Sequence, residues 1–165
     1  MEIQTIETYE FDELDAKAQE KARDWYRDGV LDDRWYEFVY EDASNIGFKI
    51  TEFDLDRGGY VRGEFIDSAS ITATRIIEEH GEACDTYTTA RAYLKARSML
   101  VVVFGVDESA EMDEADEEFR KSLCEDYLKI LRSQMDYLQS NESVDEGIRG
   151  NEYVFTDTGS RIVSL

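Results

Sequence analysis

Residues 107–138 impose the tightest constraint on the fold. Apolar residues recur there at Met112, Ala115, Phe119, Leu123, Tyr127, Ile130, Leu131, Met135 and Leu138. The steps are mostly three and four, the period of one face of a helix. Over the same turns stand Asp107, Glu108, Glu111, Asp113, Glu114, Asp116, Glu117 and Glu118, with Glu125 and Asp126 further on. The pattern predicts a long helix ending near Gln139, apolar on one side and densely anionic on the other. Any fold containing it must cover the first side and leave the second in water. Such a surface says what the protein touches and names no reaction.

The other segments read as shorter elements. Glu2 to Tyr9 predicts a first strand rich in β-prone residues. Asp12 is the expected N-cap of a helix carrying Leu14, Ala18, Ala22 and Trp25, with Glu13 and Asp15 in its first turn and Gly29 at its end. Asp32 and Asp33 are the expected caps of a second helix over Arg34 to Ile46. Phe48 to Leu55 alternates, Arg57-Gly58-Gly59 is a turn, and Tyr60 to Ile66 is the returning strand. Ser68 caps a third helix stopped by Gly81, and a fourth starts at Thr86. Met99 to Val106 holds three consecutive valines and is read as a buried central strand, with continuation of the fourth helix as the alternative. A short helix from Ser140-Asn141 to Arg149 and a hairpin through Asp157-Thr158-Gly159 complete the chain. Its length of 165 residues suits one domain spanning 1–165. The expected class is α+β: an antiparallel or mixed sheet packed with helices, one of them long, acidic and amphipathic.

No familiar catalytic arrangement appears. Asp54 to Gly59 begins like a calcium loop, but the fifth and twelfth positions are Gly58 and Phe65 where ligands are required. His80, the single histidine, lies four residues before Cys84 with Gly81 between them, which reads as a helix end with surface side chains. Phosphate-binding glycine loops and nucleophile elbows are absent. The expectation is a protein that is not an enzyme and needs no cofactor or metal.

Charge narrows the partner. The net charge is −21, yet 42% of residues are hydrophobic and 12% aromatic, which separates this chain from disordered acidic tails. The acids are uneven. Residues 1–66 carry 18 acids against 8 bases, residues 67–106 carry 5 against 4, and residues 107–165 carry 16 against 6. Adaptation to high salt would coat the chain throughout, whereas here two anionic ends flank a near-neutral middle. Direct binding of nucleic acid is excluded by sign, and so is an anionic membrane. The longest apolar run, Met99 to Phe104, is too short for a membrane span. With acidic and polar residues directly after Met1, the expectation is a cytoplasmic protein without a signal peptide. Carboxylates on neighbouring helix positions lie about 5–6 Å apart, near the spacing of phosphates on a strand. They suit a groove of Lys and Arg built for a polyanion. The expected contacts are the eight carboxylates from Asp107 to Glu118, with Asp12, Asp15, Asp32 and Asp33 as a second patch.

Residues 9–27, YEFDELDAKAQEKARDWYR, with WYEFVYEDA over 35–43, FDLDRG over 53–58, DYLK over 126–129 and NEYVFT over 151–156, resemble a family of small phage and prophage proteins sometimes labelled antitoxin-like. Family members carry a Trp-Ser-Gln-Gly-Asp-like turn where this chain has Asp54 to Gly59. The resemblance covers most of the chain except its middle and implies a phage setting rather than an activity. In that setting the expected function is an inhibitor, in its sharpest form an anti-CRISPR, that occupies a basic nucleic-acid-binding surface of a host protein or ribonucleoprotein complex. An antitoxin-type protein neutralising a basic toxin is the alternative, an acidic structural or halophile-adapted domain without mimicry is the third reading, and a homodimer is compatible with each.

Overall fold

The structure, a computed structural model, describes residues 5–29, 33–105 and 110–163. Its class is α+β, as the sequence predicts, with all described strand pairing antiparallel. In chain order the elements are β1 (Tyr9–Glu10), a 3-10 turn (Phe11–Glu13), α1 (Ala16–Gly29), α2 (Glu37–Asn45), β2 (Phe48–Asp54), β3 (Tyr60–Phe65), α3 (Ala69–Glu79), α4 (Asp85–Phe104), α5 (Ala110–Gln139), α6 (Asn141–Gly150) and β4 (Val154–Phe155). Contacts divide the chain into two compact units. None of the helices among the described residues is long and apolar enough to cross a membrane.

The first unit contains the residues up to Trp35 and those from Gln134 onward. Its core is Phe11, Leu14, Ala18, Ala22, Val144, Ile148 and Phe155. The small side chains Ala18 and Ala22 lie at a helical step of four, so α1 can come close to α6. Gly147 on α6 helps, because a Cβ there would overlap the Tyr26 hydroxyl. β1 pairs with β4, Tyr9 opposite Phe155, and Trp25 meets Tyr153 edge to face at 5.2 Å. The turn after β4 returns through a bridge between Phe155 and Arg161. There Gly159 takes φ +91° and sits so near the Ala18 carbonyl that no side chain fits.

The second unit is Tyr36–Ser133. Its centre is a chain of aromatic rings. Tyr127 of α5 stacks on Phe48 of β2, Phe48 meets Phe65 of β3, Phe65 meets Phe119 of α5, and Phe119 stacks on Tyr93 of α4 at 4.4 Å. Gly63 of β3 leaves the room that the Phe48 ring occupies. The β2–β3 turn places Arg57, Gly58 and Gly59 at positive φ, as a Gly-Gly turn allows. Ser68 accepts a hydrogen bond from the Ile71 amide and caps α3.

Four expectations need correction. Met99 to Phe104 is helix, the tail of α4, and Val102 and Val103 are 85% and 71% exposed. A preceding run rich in Ala, Leu, Lys and Arg extends the helix at little cost, and valine loses well under about 1 kcal/mol per helical residue. Gly105, at φ +69°, ends it. Asp12 does not cap α1. Asp15 does, accepting from the Ala18 amide at 2.8 Å, while Asp12 lies in the 3-10 turn. The expected first strand is present only at Tyr9–Glu10; Thr5 to Thr8 is not strand, and residues 1–4 lie outside the described residues. α2 starts at Glu37, later than Arg34, so Tyr36 and not Asp33 stands at its N-cap, while Asp32 lies outside the described residues.

A fork joins the two helices of the first unit. Arg23 of α1 donates through Nε and Nη2 to the two carboxylate oxygens of Asp145 of α6, at 2.7 and 2.9 Å. The side chains are only 16% and 14% exposed. Truncating one partner strands a largely desolvated charge, a loss of about 3 kcal/mol, the low end for a buried pair because both side chains keep some exposure. Arg23→Met is expected to lower the thermal midpoint accordingly, and the double variant Arg23→Met/Asp145→Leu to regain most of it, as calorimetry would show.

Candidate partner-binding face

The rotation of α5 decides which carboxylates reach solvent. Met112, Phe119, Leu123 and Tyr127 are buried and hold one side of the helix against the second unit's core. Glu111, Asp113, Glu114 and Glu118 are thereby exposed, and none makes an ion pair among the described residues. Glu111, Glu114 and Glu118, at steps of three and four, form one line along the outer surface. Lys121 and Glu125 are exposed on the same side one turn further on.

Four others of the expected array, Asp116, Glu117, Asp12 and Asp15, serve the fold. Asp116 is half-buried and accepts a short hydrogen bond from the Tyr93 hydroxyl. Burial, then the Asp116 charge, pushes the Tyr93 phenol far up, so this proton stays in place. Glu117 takes a fork from Arg120, whose Nε donates at 2.9 Å, and Arg120 Nη1 donates onward to the Gly63 carbonyl at 3.2 Å. That guanidinium holds Glu117 below the usual carboxylate range. In the first unit Asp12 is clasped by Arg149, with Nη2 at 2.8 Å from Oδ1, and its carboxyl is likewise lowered. Asp15 is used as the helix cap, and Asp33 is exposed in the turn before α2. Asp32, Asp107 and Glu108 lie outside the described residues. The candidate face therefore contracts to Glu111, Asp113, Glu114 and Glu118.

Two buried polar clusters escaped the sequence reading. His80, expected at the surface, is packed inward with 10% of its side chain exposed. Its Nδ1 lies 2.6 Å from Thr86 Oγ1 and its Nε2 3.3 Å from Asp42 Oδ2, out of line for a hydrogen bond. The same Asp42 oxygen accepts from the buried Tyr127 hydroxyl at 3.1 Å. The His80 contact, with Tyr127 adding to it, draws Asp42 below its ordinary range. A threonine, a histidine and an aspartate in series resemble a nucleophile relay, but Thr86 is 1% exposed and no substrate could reach its hydroxyl. The second cluster is Asp126, 7% exposed, which accepts from Thr89 Oγ1 at 2.6 Å. Burial raises its carboxyl and outweighs the lowering by Thr89. Neither cluster carries a spacing signal, because its members come from different elements. Cys84 is exposed and Cys124 buried, and burial pushes the Cys124 thiol up, away from reactivity. Among the described residues no group of three His, Cys, Asp or Glu is placed to hold a metal ion.

The two aspartates make opposite demands on pH. A lowered carboxyl contributes stability above its unfolded value and loses it as pH falls through the folded value; a raised one costs stability once pH rises through the folded value. At neutral pH Asp42→Asn is expected to lower the thermal midpoint. Asp126→Asn, which keeps an acceptor for Thr89, is expected to raise it. The Asp126 difference should vanish in melts run below the ordinary carboxylate range, and the Asp42 difference only once pH falls through that carboxyl's lowered folded value.

Compared with protein-family models, with curated proteins and with solved structures, the chain matches none.

Proposed function

We propose that the outer face of α5 binds a basic protein surface that otherwise holds a nucleic acid, and that the protein acts as an inhibitor of such a surface. In the phage setting implied by the family resemblance, the surface belongs to a host defence complex. One observation carries this reading: Glu111, Glu114 and Glu118 are exposed, unpaired and turned to the same side of a helix anchored through its opposite side, with Asp113 exposed beside the anchored side. The helix fixes their backbone positions before contact, while each exposed side chain still gives up rotamer freedom on binding. A net charge of −21 draws the molecule toward a cationic site over a Debye length of about 8–10 Å and speeds encounter.

The magnitudes say what this face supplies. An exposed ion pair contributes about 0.2–1 kcal/mol, so four supply roughly 1–4 kcal/mol. That corresponds at best to millimolar binding. The carboxylates give steering and choice of partner, and tight binding needs apolar contact beside them.

The test is a plaque assay in bacteria whose nucleic-acid-guided defence restricts a test phage. Expression of the protein is expected to restore plaques. The variant Glu111→Gln/Asp113→Asn/Glu114→Gln/Glu118→Gln should lose about 2 kcal/mol of binding, a roughly thirtyfold drop, and fail to restore them while melting as the wild type does. Restoration by the variant at full strength removes the carboxylates from the mechanism, and no restoration by the wild type across a panel of such systems removes the inhibitor.

A further inference from the structure

We infer that the groove between α4 and α5 is the seat of a basic amphipathic helix supplied by the partner. The inference rests on the anionic-face reading for the sign of the partner's charge and adds the apolar contact that reading lacks.

The groove has a volume of about 350 Å³ and lies within the second unit. Its walls are kept low by Ala92 and Ala96 of α4 and Ala115 of α5, and the stacked Tyr93 and Phe119 rings lie along it. On α4 the line Ala92, Ala96, Met99, Val103 advances by four, three and four residues. It continues the groove onto an apolar ridge where Met99 is 61% and Val103 71% exposed. On α5 the line Glu111, Ala115, Glu118, Ser122 advances by four, three and four. It alternates carboxylates with small side chains and places Glu118 in the groove wall. The helices run antiparallel, since Tyr93 meets Asp116 while the earlier Thr89 meets the later Asp126.

An apolar floor with one carboxylate bank selects its occupant. A partner helix with leucine-sized side chains at i, i+3, i+4 and i+7 fills the floor and ridge, and Lys or Arg on its flank meets Glu111, Glu114 and Glu118. A nucleic-acid strand is repelled by the same bank. A second copy of this chain brings another −21 charge to the contact. Arg91 and Lys95 of α4 line the neighbouring cleft with Ile77 and Leu94, and Arg97 reaches the Tyr93 hydroxyl, so one guanidinium beside the groove faces the three carboxylates of the bank and leaves its sign negative.

The experiment uses the full chain and two fluorescein-labelled helical peptides of equal length and equal positive charge. One carries leucine at i, i+3, i+4 and i+7, and the other carries alanine there. By fluorescence anisotropy the leucine peptide is expected to bind at least about tenfold more tightly, and to keep that advantage at high salt. Ala92→Leu/Ala96→Leu fills the groove with a good helix former at exposed positions and leaves every carboxylate in place. It is expected to cut binding of the leucine peptide by about tenfold with an unchanged circular dichroism melt. Equal binding of both peptides, binding of neither, or normal binding to the filled groove overturns the inference. So does a wild-type dimer in sedimentation that excludes the peptide. If the filled groove binds normally while the four-carboxamide variant does not, the groove reading fails and the anionic face stands. If both variants bind normally, both fail.

Discussion

The ring sequence Tyr127–Phe48–Phe65–Phe119–Tyr93 is the contact on which the rest of the second unit depends. It ties α5 to the hairpin at two points and to α4 at one. Two rings on the same helix, Phe119 and Tyr127, are separated by eight residues, slightly more than two turns. Fixing both removes the helix's freedom to roll. The carboxylates at 111, 113, 114 and 118 point outward because these rings point inward. Aromatic packing therefore sets the electrostatics, and a chain with the same charge but a looser core would present no defined array.

The division of labour among the acids follows from where cations are available. Arg120 sits one turn after Glu117 and Arg149 lies across from Asp12, so those two carboxylates are spent inside the molecule. Lys and Arg together number 18 against 39 acids, so most carboxylates have no cation to meet. The exposed ones on α5 that meet neither a cation nor another protein donor are stabilised by water, and a desolvating partner must bring positive charge to replace it. An acidic coat and a selective acidic face are thus different objects. Only the second has its backbone positions fixed relative to an apolar surface that a partner can also cover.

How much of this was legible in the sequence depends on the range of the interactions. α5, the β2–β3 hairpin, and the Ser68 and Ser140 caps were readable, because each is set by spacing or by residues a few positions apart. The tail of α4 was misread because Val101-Val102-Val103 is β-prone in isolation, and nothing local reports that the preceding helix simply continues. The cap of α1 was misplaced by one turn: Asp12 and Asp15 are both good caps, and the choice falls to Arg149, 137 positions away. The His80 and Asp126 clusters were invisible for the same reason, since their members come from separate elements of the second unit. Within the candidate face, the sequence showed which residues are acidic. It could not show that Asp116 and Glu117 are already engaged.

The ridge at the end of α4 has a consequence for handling the protein. Met99, Val102, Val103 and Phe104 offer water-exposed hydrocarbon that a neutral molecule would use to clump. Mutual repulsion between highly charged particles keeps such ridges apart. As acidity approaches the isoelectric point, about 4.2, or as dissolved electrolyte shortens the reach of that repulsion, the barrier to stacking thins. Colloidal behaviour is governed here by a few unburied valines held in check by distant carboxylates.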